Sequence, residues 1–463
     1  MEDRKTELLG TINRNGKNLL EEVRDQVAAG TDLNHVAKYG QSPLRVASNN
    51  GRFDVVELLL QSGADYGQLE WTPLMFSVTL GDLSQMEADL QQGNGRENRD
   101  IWNRTPFLLA VLTGDITKCE TLLSHGCNRE ARGRCGTNAL QYAVQKNDLA
   151  MQRWLLDQGF PIDTTNELGS TALMDAAQFG HVESVRFLLE HGAELRRENN
   201  IPDRAIGYAS TPEVAEVLLE YGEDIDAMPE ETYAKWLGMR YRENPEATPQ
   251  EYAAAKTSRF GRKNPEETNH PFWLAMIRSG ANAYRARCHF DDNDCISSTQ
   301  PVWCFIRFGR TTTRLPDSRI IVIAGEHEDY YDPDFCIYND VTIFEPNGNI
   351  RLFSYPETLF PPTAFHTATL VDSFIYLIGG LGYRDQRRPG YTPVYRLDTH
   401  SYRLEIVETE GDMPGWISSH RAWCDGDAIL IEGGECAVEI EGEQQFVQNT
   451  ARWRLDLSSR TWQ

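Results

Sequence analysis

The chain is 463 residues long, 40% apolar and 10% aromatic, and its 69 acidic against 45 basic side chains give a net charge of -24. One hydrophobic core rarely serves so many residues, so two or three domains are expected. Binding to a phosphate backbone or an anionic membrane surface rests on Lys and Arg neutralising it. This charge balance opposes that, and neither nucleic acid nor membrane is expected as a partner.

The opening "MEDRKTELLG" is charged and lacks the apolar core of a secretory signal. No run approaches the roughly 18 apolar residues of a membrane span, so a soluble, cytoplasmic protein is expected. The nine cysteines (Cys119, Cys127, Cys135, Cys288, Cys295, Cys304, Cys336, Cys424 and Cys436) are scattered and never form a C-x-x-C pair. Reduced, mostly buried thiols are expected rather than a disulfide framework or a structural zinc site.

Glycines recur at a nearly constant interval, at Gly30, Gly63, Gly93, Gly126, Gly159, Gly192 and Gly222. Each follows an apolar stretch such as "VVELLLQSG", "TLLSHG", "WLLDQG" or "RFLLEHG", where a left-handed residue closing a helix is the natural reading. Upstream in the same phase come "GQSPLRVAS", "EWTPLMFSV", "NRTPFLLAV", "GTNALQYAV" and "GSTALMDAA". There a capping residue precedes Pro or Ala and an apolar face, with Pro43, Pro73 and Pro106 at the first helical position. The period, the Thr-Pro-Leu opener and the Leu-Leu…Gly-Ala closer resemble the ankyrin repeat over residues 7 to about 225, as a half-repeat and six repeats. Two departures stand out: Arg45 and Met75 replace the histidine usual after Pro-Leu, and the sixth repeat lacks the Thr-Pro start.

Residues 226–300 change character. "TPQEYAAAKTSRFG" predicts a capped helix from Thr248, and "HPFWLAMIRSGANAYRA" one more helix closing at Gly280. The expectation is an atypical helical cap on the array and a polar linker, giving three regions: 1–225, 226–300 and 301–463.

From Pro301 the texture becomes β. "RIIVIAGE", "SFIYLIGG" and "DAILIEGG" are apolar runs ending at the evenly spaced Gly325, Gly380 and Gly434, each followed by a second strand, "DVTIFE", "PVYRLD" or "ARWRLD". His366 and His420 repeat at the same interval. This resembles the kelch motif, whose four-stranded blades build a β-propeller. A propeller closes with about four to eight blades, and this region supplies three. The expectation is a partial propeller, completed by a homodimer joined through blade edges or by further blades beyond Gln463.

Within the first β unit, "GEHEDYYDPDFCIYNDV" (325–341) crowds carboxylates, a histidine and a cysteine into the connection between two strands. The matching loop of the next unit carries Arg384, Arg387 and Arg388. Three readings stay open. Glu328, Asp329 and Asp332 pair with those arginines across neighbouring blades; or Tyr330, Tyr331, Phe335 and the arginines form a recognition surface; or Glu328, Asp332 and Cys336, spaced by four, hold a metal. The last loosely resembles the Glu-x-x-x-Asp-x-x-x-His iron series of the plant nitrile-specifier kelch proteins, with Cys336 where that series has histidine. The repetition of His366 and His420 points to a packing or hydrogen-bonding role rather than to acid–base chemistry. No phosphate loop, H-E-x-x-H or G-x-S-x-G is found.

The ankyrin resemblance implies protein recognition through finger tips and inner helices. The matching residues flanking the openers are Tyr39, Gln41, Glu70, Trp71, Trp102, Arg104, Arg134, Thr137, Glu167 and Ser170. Trp102 with Arg104 and Arg134 has the composition of a binding hot spot. The function expected is a non-enzymatic scaffold or adaptor without cofactor, binding other proteins through ankyrin fingers and kelch rim loops. The alternative is a kelch-type metal-dependent enzyme or specifier acting on a small molecule. A ubiquitin-ligase adaptor, which kelch units also suggest, needs a recruiting module that residues 1–40 do not resemble.

Overall fold

The computed structural model describes residues 2–93, 95–257, 259–292, 300–327 and 334–463. It divides into two compact units, Met1–Pro229 and Glu230–Gln463. Among the described residues no helix is long and apolar enough to cross a membrane.

The first unit is a stack of helix pairs. After helices Glu2–Arg14 and Leu19–Ala28, the leading helices are Pro43–Asn49, Pro73–Thr79, Pro106–Thr113, Ala139–Gln145 and Ala172–Phe179. Each starts where a side-chain oxygen accepts the N–H three residues on: Ser42 from Arg45, Thr72 from Met75, Thr105 from Leu108, Asn138 from Gln141 and Thr171 from Met174. The trailing helices are Phe53–Gln61, Leu83–Gln91, Ile116–Ser124, Leu149–Asp157 and Val182–Glu190. Each is closed by a glycine with φ between 76° and 95°, from Gly63 to Gly192. A Cβ added at any of these five would meet nothing within 4 Å, so the left-handed backbone alone selects glycine there. In the middle of the stack Phe107 to Leu112 are all buried, as a helix covered on both sides requires. The sixth repeat opens on a tight 3-10 turn, Ala205–Tyr208, before helix Pro212–Glu220. Arg204 precedes that turn and supplies no side-chain cap.

Among the described residues the second unit contains three successive, mainly antiparallel sheets and a small side sheet. The first has strands β1 (Glu266–Glu267), β2 (Thr311–Arg314), β3 (Ile320–His327), β4 (Cys336–Phe344) and β5 (Ile350–Ser354) in the order β1-β5-β4-β3-β2. The second is the meander β6 (Thr367–Val371), β7 (Phe374–Ile378), β8 (Val394–Asp398) and β9 (Leu404–Ile406). The third draws on β10 (Glu410–Gly411), β11 (Trp416–Ser418), β12 (Arg421–Asp425), β13 (Ala428–Glu432), β14 (Glu435–Ile440), β15 (Glu443–Gln448), β16 (Arg452–Asp456) and β17 (Thr461–Trp462). Its main order is β10-β17-β16-β13-β12, with β10 parallel to β17, while β11, β14 and β15 form a small side sheet. Ile321, Ile323, Val341 and Ile343 fill the core between the first two sheets. Tyr376, Ile378, Val394, Ile429 and Ile431 fill the core between the second and third.

Three expectations are corrected here. Helices Pro249–Ala255 and Pro271–Ser279 form as predicted from Thr248 and Gly280, Glu230–Trp236 and Ala283–His289 form besides them, and segment 230–292 folds into the second unit instead of being a region of its own. The cause is specific packing. Trp273 stacks on Trp303 at 4.9 Å, Tyr233 Oη meets Thr312 Oγ1 at 2.9 Å, buried Arg287 pairs with Asp334, and β1 extends the edge of β5. The third β unit is also more elaborate than the two-strand pattern predicts. The β14–β15 hairpin is inserted between β13 and β16, turning at Glu441-Gly442 where both φ angles are positive, the geometry of a two-residue hairpin. Thiols are less uniformly buried than expected: Cys135, Cys288 and Cys424 are exposed, and the eight described cysteines are all free.

A candidate docking surface on the ankyrin-like fingers

Between each closing glycine and the next leading helix the chain makes a tight finger. A backbone bond closes five of them in the same way: Ala37, Asp100, Gly133, Asn166 and Asn199 donate N–H to the carbonyls of Gln41, Arg104, Thr137, Ser170 and Asp203, at 2.7 to 3.0 Å. Where that residue is Asp or Asn its side chain tightens the loop further. Asp100 Oδ1 accepts from the N–H groups of Trp102 and Arg104, Asn166 Oδ1 from Leu168 and Ser170, and Asn199 Oδ1 from Ile201 and Asp203.

Neighbouring fingers are also bonded sideways. The carbonyls of Leu69, Trp102, Cys135 and Leu168 accept N–H bonds from Ile101, Arg134, Glu167 and Asn200 at 3.5, 3.0, 3.0 and 3.1 Å. This ladder sets the tip residues Trp102, Cys135, Leu168 and Ile201 side by side, one from each successive repeat. Leu168 is 62% and Ile201 71% exposed, Cys135 is exposed and Trp102 half-buried. In the first finger Tyr39 is 88% exposed, whereas Leu69 of the second is buried.

The residues anticipated from sequence separate into two groups. Tyr39 and Arg134 are exposed at tips, and Trp102 lies at the edge of the surface. Its indole Nε1 donates to the Arg45 carbonyl at 3.2 Å, and the Arg134 guanidinium sits 5.5 Å from its ring centroid. Arg104 and Trp71 are corrected. Arg104 is 1% exposed, clamped by Asp100 Oδ2 at 2.6 Å and by the carbonyl and hydroxyl of Ser48 at 2.8 and 2.6 Å. Trp71 is 8% exposed, packed between Phe53 and Phe76, and its Nε1 donates to Asp100 Oδ2 at 3.4 Å. Both belong to the core under the fingers. Sequence reasoning missed Cys135, Leu168 and Ile201, although moving one repeat at a time from Trp102 lands on each. On the leading helix of the fifth repeat, burial pushes the Asp175 carboxyl up to about 7 against the hydrogen bond Gln141 donates to it.

In the second unit, Glu328, Tyr330, Tyr331 and Asp332 lie outside the described residues. Cys336 is buried at the start of β4, with Sγ 3.6 Å from the Ile337 carbonyl. Among the described residues no three His, Cys, Asp or Glu side chains are placed to hold a metal ion. Arg384 and Arg388 are exposed. Arg387 instead fastens its loop, donating to the Leu381 and Gly382 carbonyls and to Gln444 Oε1 at 2.9 to 3.0 Å. The two repeated histidines join successive sheets: His366 Nε2 meets Thr311 Oγ1 of β2 at 2.9 Å, and His420 Nε2 meets Thr367 Oγ1 of β6 at 3.0 Å. Burial pushes them down to about 3 and about 4, with His420 adding to the effect on His366.

An ankyrin-repeat family model matches residues 39–68, and a model of ankyrin repeats matches three times, over residues 82–166, 107–199 and 153–228. The first unit therefore carries ankyrin repeats, and the matched residues end one short of the boundary between the units. No curated protein matches the chain.

Proposed function

We propose that the chain is a non-enzymatic scaffold or adaptor that holds a protein partner on the finger tips of its ankyrin repeats, with a kelch-like three-sheet unit as a second interaction module. The observation that carries this reading is the row Trp102, Cys135, Leu168 and Ile201, apolar side chains presented at one position of four successive, backbone-bonded fingers. Scattered single apolar residues at a surface are ordinary, but a contiguous row on a rigid frame is what a protein partner buries. Tyr39 adds an aromatic anchor in the first finger. The kelch-like part of the reading is supported by the strand pairs β6–β7 and β12–β13, which begin beside His366 and His420 and end at Gly379-Gly380 and Gly433-Gly434. Exposed Arg384 and Arg388 are its rim candidates.

The test is the double substitution Leu168→Asp/Ile201→Asp in the full chain. Both side chains are mostly in water, so helical content and thermal unfolding should stay as in the unmodified chain. Proteins retained on an immobilised wild-type column should be lost from the double variant while binding to a Phe446→Asp control is kept. Retention of the same proteins by all three columns would refute fingertip docking.

A further inference from the structure

The charge on the fingers is not evenly spread. The second finger shows Asp65 and Glu70 and the fifth Asp163 and Glu167, whereas the third and fourth expose Arg96, Arg99, Arg129, Arg132 and Arg134 against Glu97 and Glu130, in a chain of net charge -24. Two of these arginines are built into the frame. Arg99 Nη1 donates to the carbonyls of Asn103 and Arg132 at 2.8 and 2.7 Å, and one finger further on Arg132 Nη1 donates to those of Gly136 and Thr165 at 3.0 and 2.7 Å. Among the described residues each guanidinium is thus held at one nitrogen, which leaves its other donors for a ligand. Both line a groove of about 380 Å³ with Asn103, Gly133, Gly136 and Asn166, and Glu167 stands at its fifth-finger side. Arg134, stacked by Trp102, lies on the adjoining tip.

We infer that the third and fourth fingers bind a short acidic segment of a partner protein, whose Asp or Glu carboxylates take the free edges of Arg99 and Arg132 with Arg134 alongside. This rests on the docking reading above and adds the chemistry of the partner. Pinned guanidiniums lose little freedom on binding, and paired N–H donors match a carboxylate. The surrounding acidity sets the length. At physiological salt, charges more than about 8 Å away are largely screened, so a short acidic segment feels the local arginines. A long polyanion such as nucleic acid would run onto Asp65 and Glu70 on one side and Asp163 and Glu167 on the other.

The test is fluorescence anisotropy of the full chain with a labelled Asp/Glu/Leu peptide of about 12 residues, at about 0.05 M and 0.15 M salt. Saturable binding is expected, weaker at the higher salt. Arg99→Glu/Arg132→Glu should weaken it at least about tenfold, equivalent to about 1.4 kcal/mol. Because those two arginines also hold finger carbonyls, Arg134→Glu is the second variant: it has no such backbone bonds and should weaken binding about threefold or more with the fold intact. No binding of the acidic peptide, equal binding by all variants, or comparable binding of a Lys/Leu peptide or single-stranded DNA would each overturn the inference. Partner loss from Leu168→Asp/Ile201→Asp in the column experiment, with no acidic-peptide binding here, would leave fingertip docking standing and remove only the acidic partner.

Discussion

Arg99 and Arg104 sit in one finger and have opposite fates. Arg99 is in water, bonded to two carbonyls through one nitrogen. Arg104 is enclosed, and both it and Asp100 are nearly inaccessible. A buried pair of this kind contributes little net stability when intact, because desolvating both charges offsets their attraction, but losing one member strands the other. Arg104→Leu should therefore cost about 3–5 kcal/mol, read as a fall in the urea midpoint of the far-ultraviolet helical signal. Arg99→Ala should stay within about 1 kcal/mol. Similar small losses for both would show that Asp100 finds another partner or water. The difference was partly legible in the sequence: Asp100 precedes Arg104 by about one helical turn's count, and Arg104 aligns with Thr137 and buried Ser170, not with the tips. Composition alone, a tryptophan between arginines, pointed to the surface instead.

Among the elements, a histidine held neutral adds a hydrogen bond from one β sheet to the next across their apolar cores. Free imidazole titrates near 6.5, and burial holds His366 near 3 and His420 near 4 in the folded chain. Between about pH 4 and 6.5 the unfolded chain binds protons that the folded chain does not, so stability falls as pH falls through this window. Above the unfolded value the contribution is complete; below the folded values no more is lost. The two together set a slope of up to about 2.7 kcal/mol per pH unit. Urea unfolding read by tryptophan fluorescence suits this unit, since most of the tryptophans lie in it. His366→Gln/His420→Gln should keep a bond to each threonine and flatten the stability profile between pH 6 and 5 by at least about 1 kcal/mol per unit. Parallel profiles for the two proteins would show that neither histidine is held neutral. The sequence located both histidines, the paired helices of the repeats and two strands of each β unit, through glycine phase and repeated apolar runs. It did not reveal which core the helices of 230–292 join, because an amphipathic face names no partner. Nor did it reveal β14 and β15, whose "ECAVEIEGEQQFVQ" is too polar on both faces for an apolar run to stand out.

For the whole molecule, the remaining question is what lies against the outer face of the third sheet. Matching register positions answer part of it. Just before the glycine turn the first sheet sets Ile323 opposite Val341, and the second sets Ile378 opposite Val394; all four are fully buried between sheets. At the same place the third sheet sets Glu432 opposite Arg452, an exposed ion pair at 2.8 Å. On the same face Arg454 pairs with Asp425 at 3.3 Å, and Arg452 lies 5.7 Å from the Trp423 ring. Where the first two sheets have an apolar facet that receives the next sheet, two cross-strand ion pairs face water. Another sheet packed here would have to desolvate four charges for little apolar area, whereas a stable interface needs about 800 Å² on each side and a core depleted of charge. The prediction is that this face does not join two chains sheet to sheet, contrary to the dimer expected from the count of β units. Light scattering after size exclusion at micromolar concentration should give the mass of one chain. Glu432→Ile/Arg452→Val, which restores the residues of the second sheet, should drive concentration-dependent association. A wild-type dimer dissociated by Glu432→Lys would reverse this conclusion and make the ion pairs part of an interface.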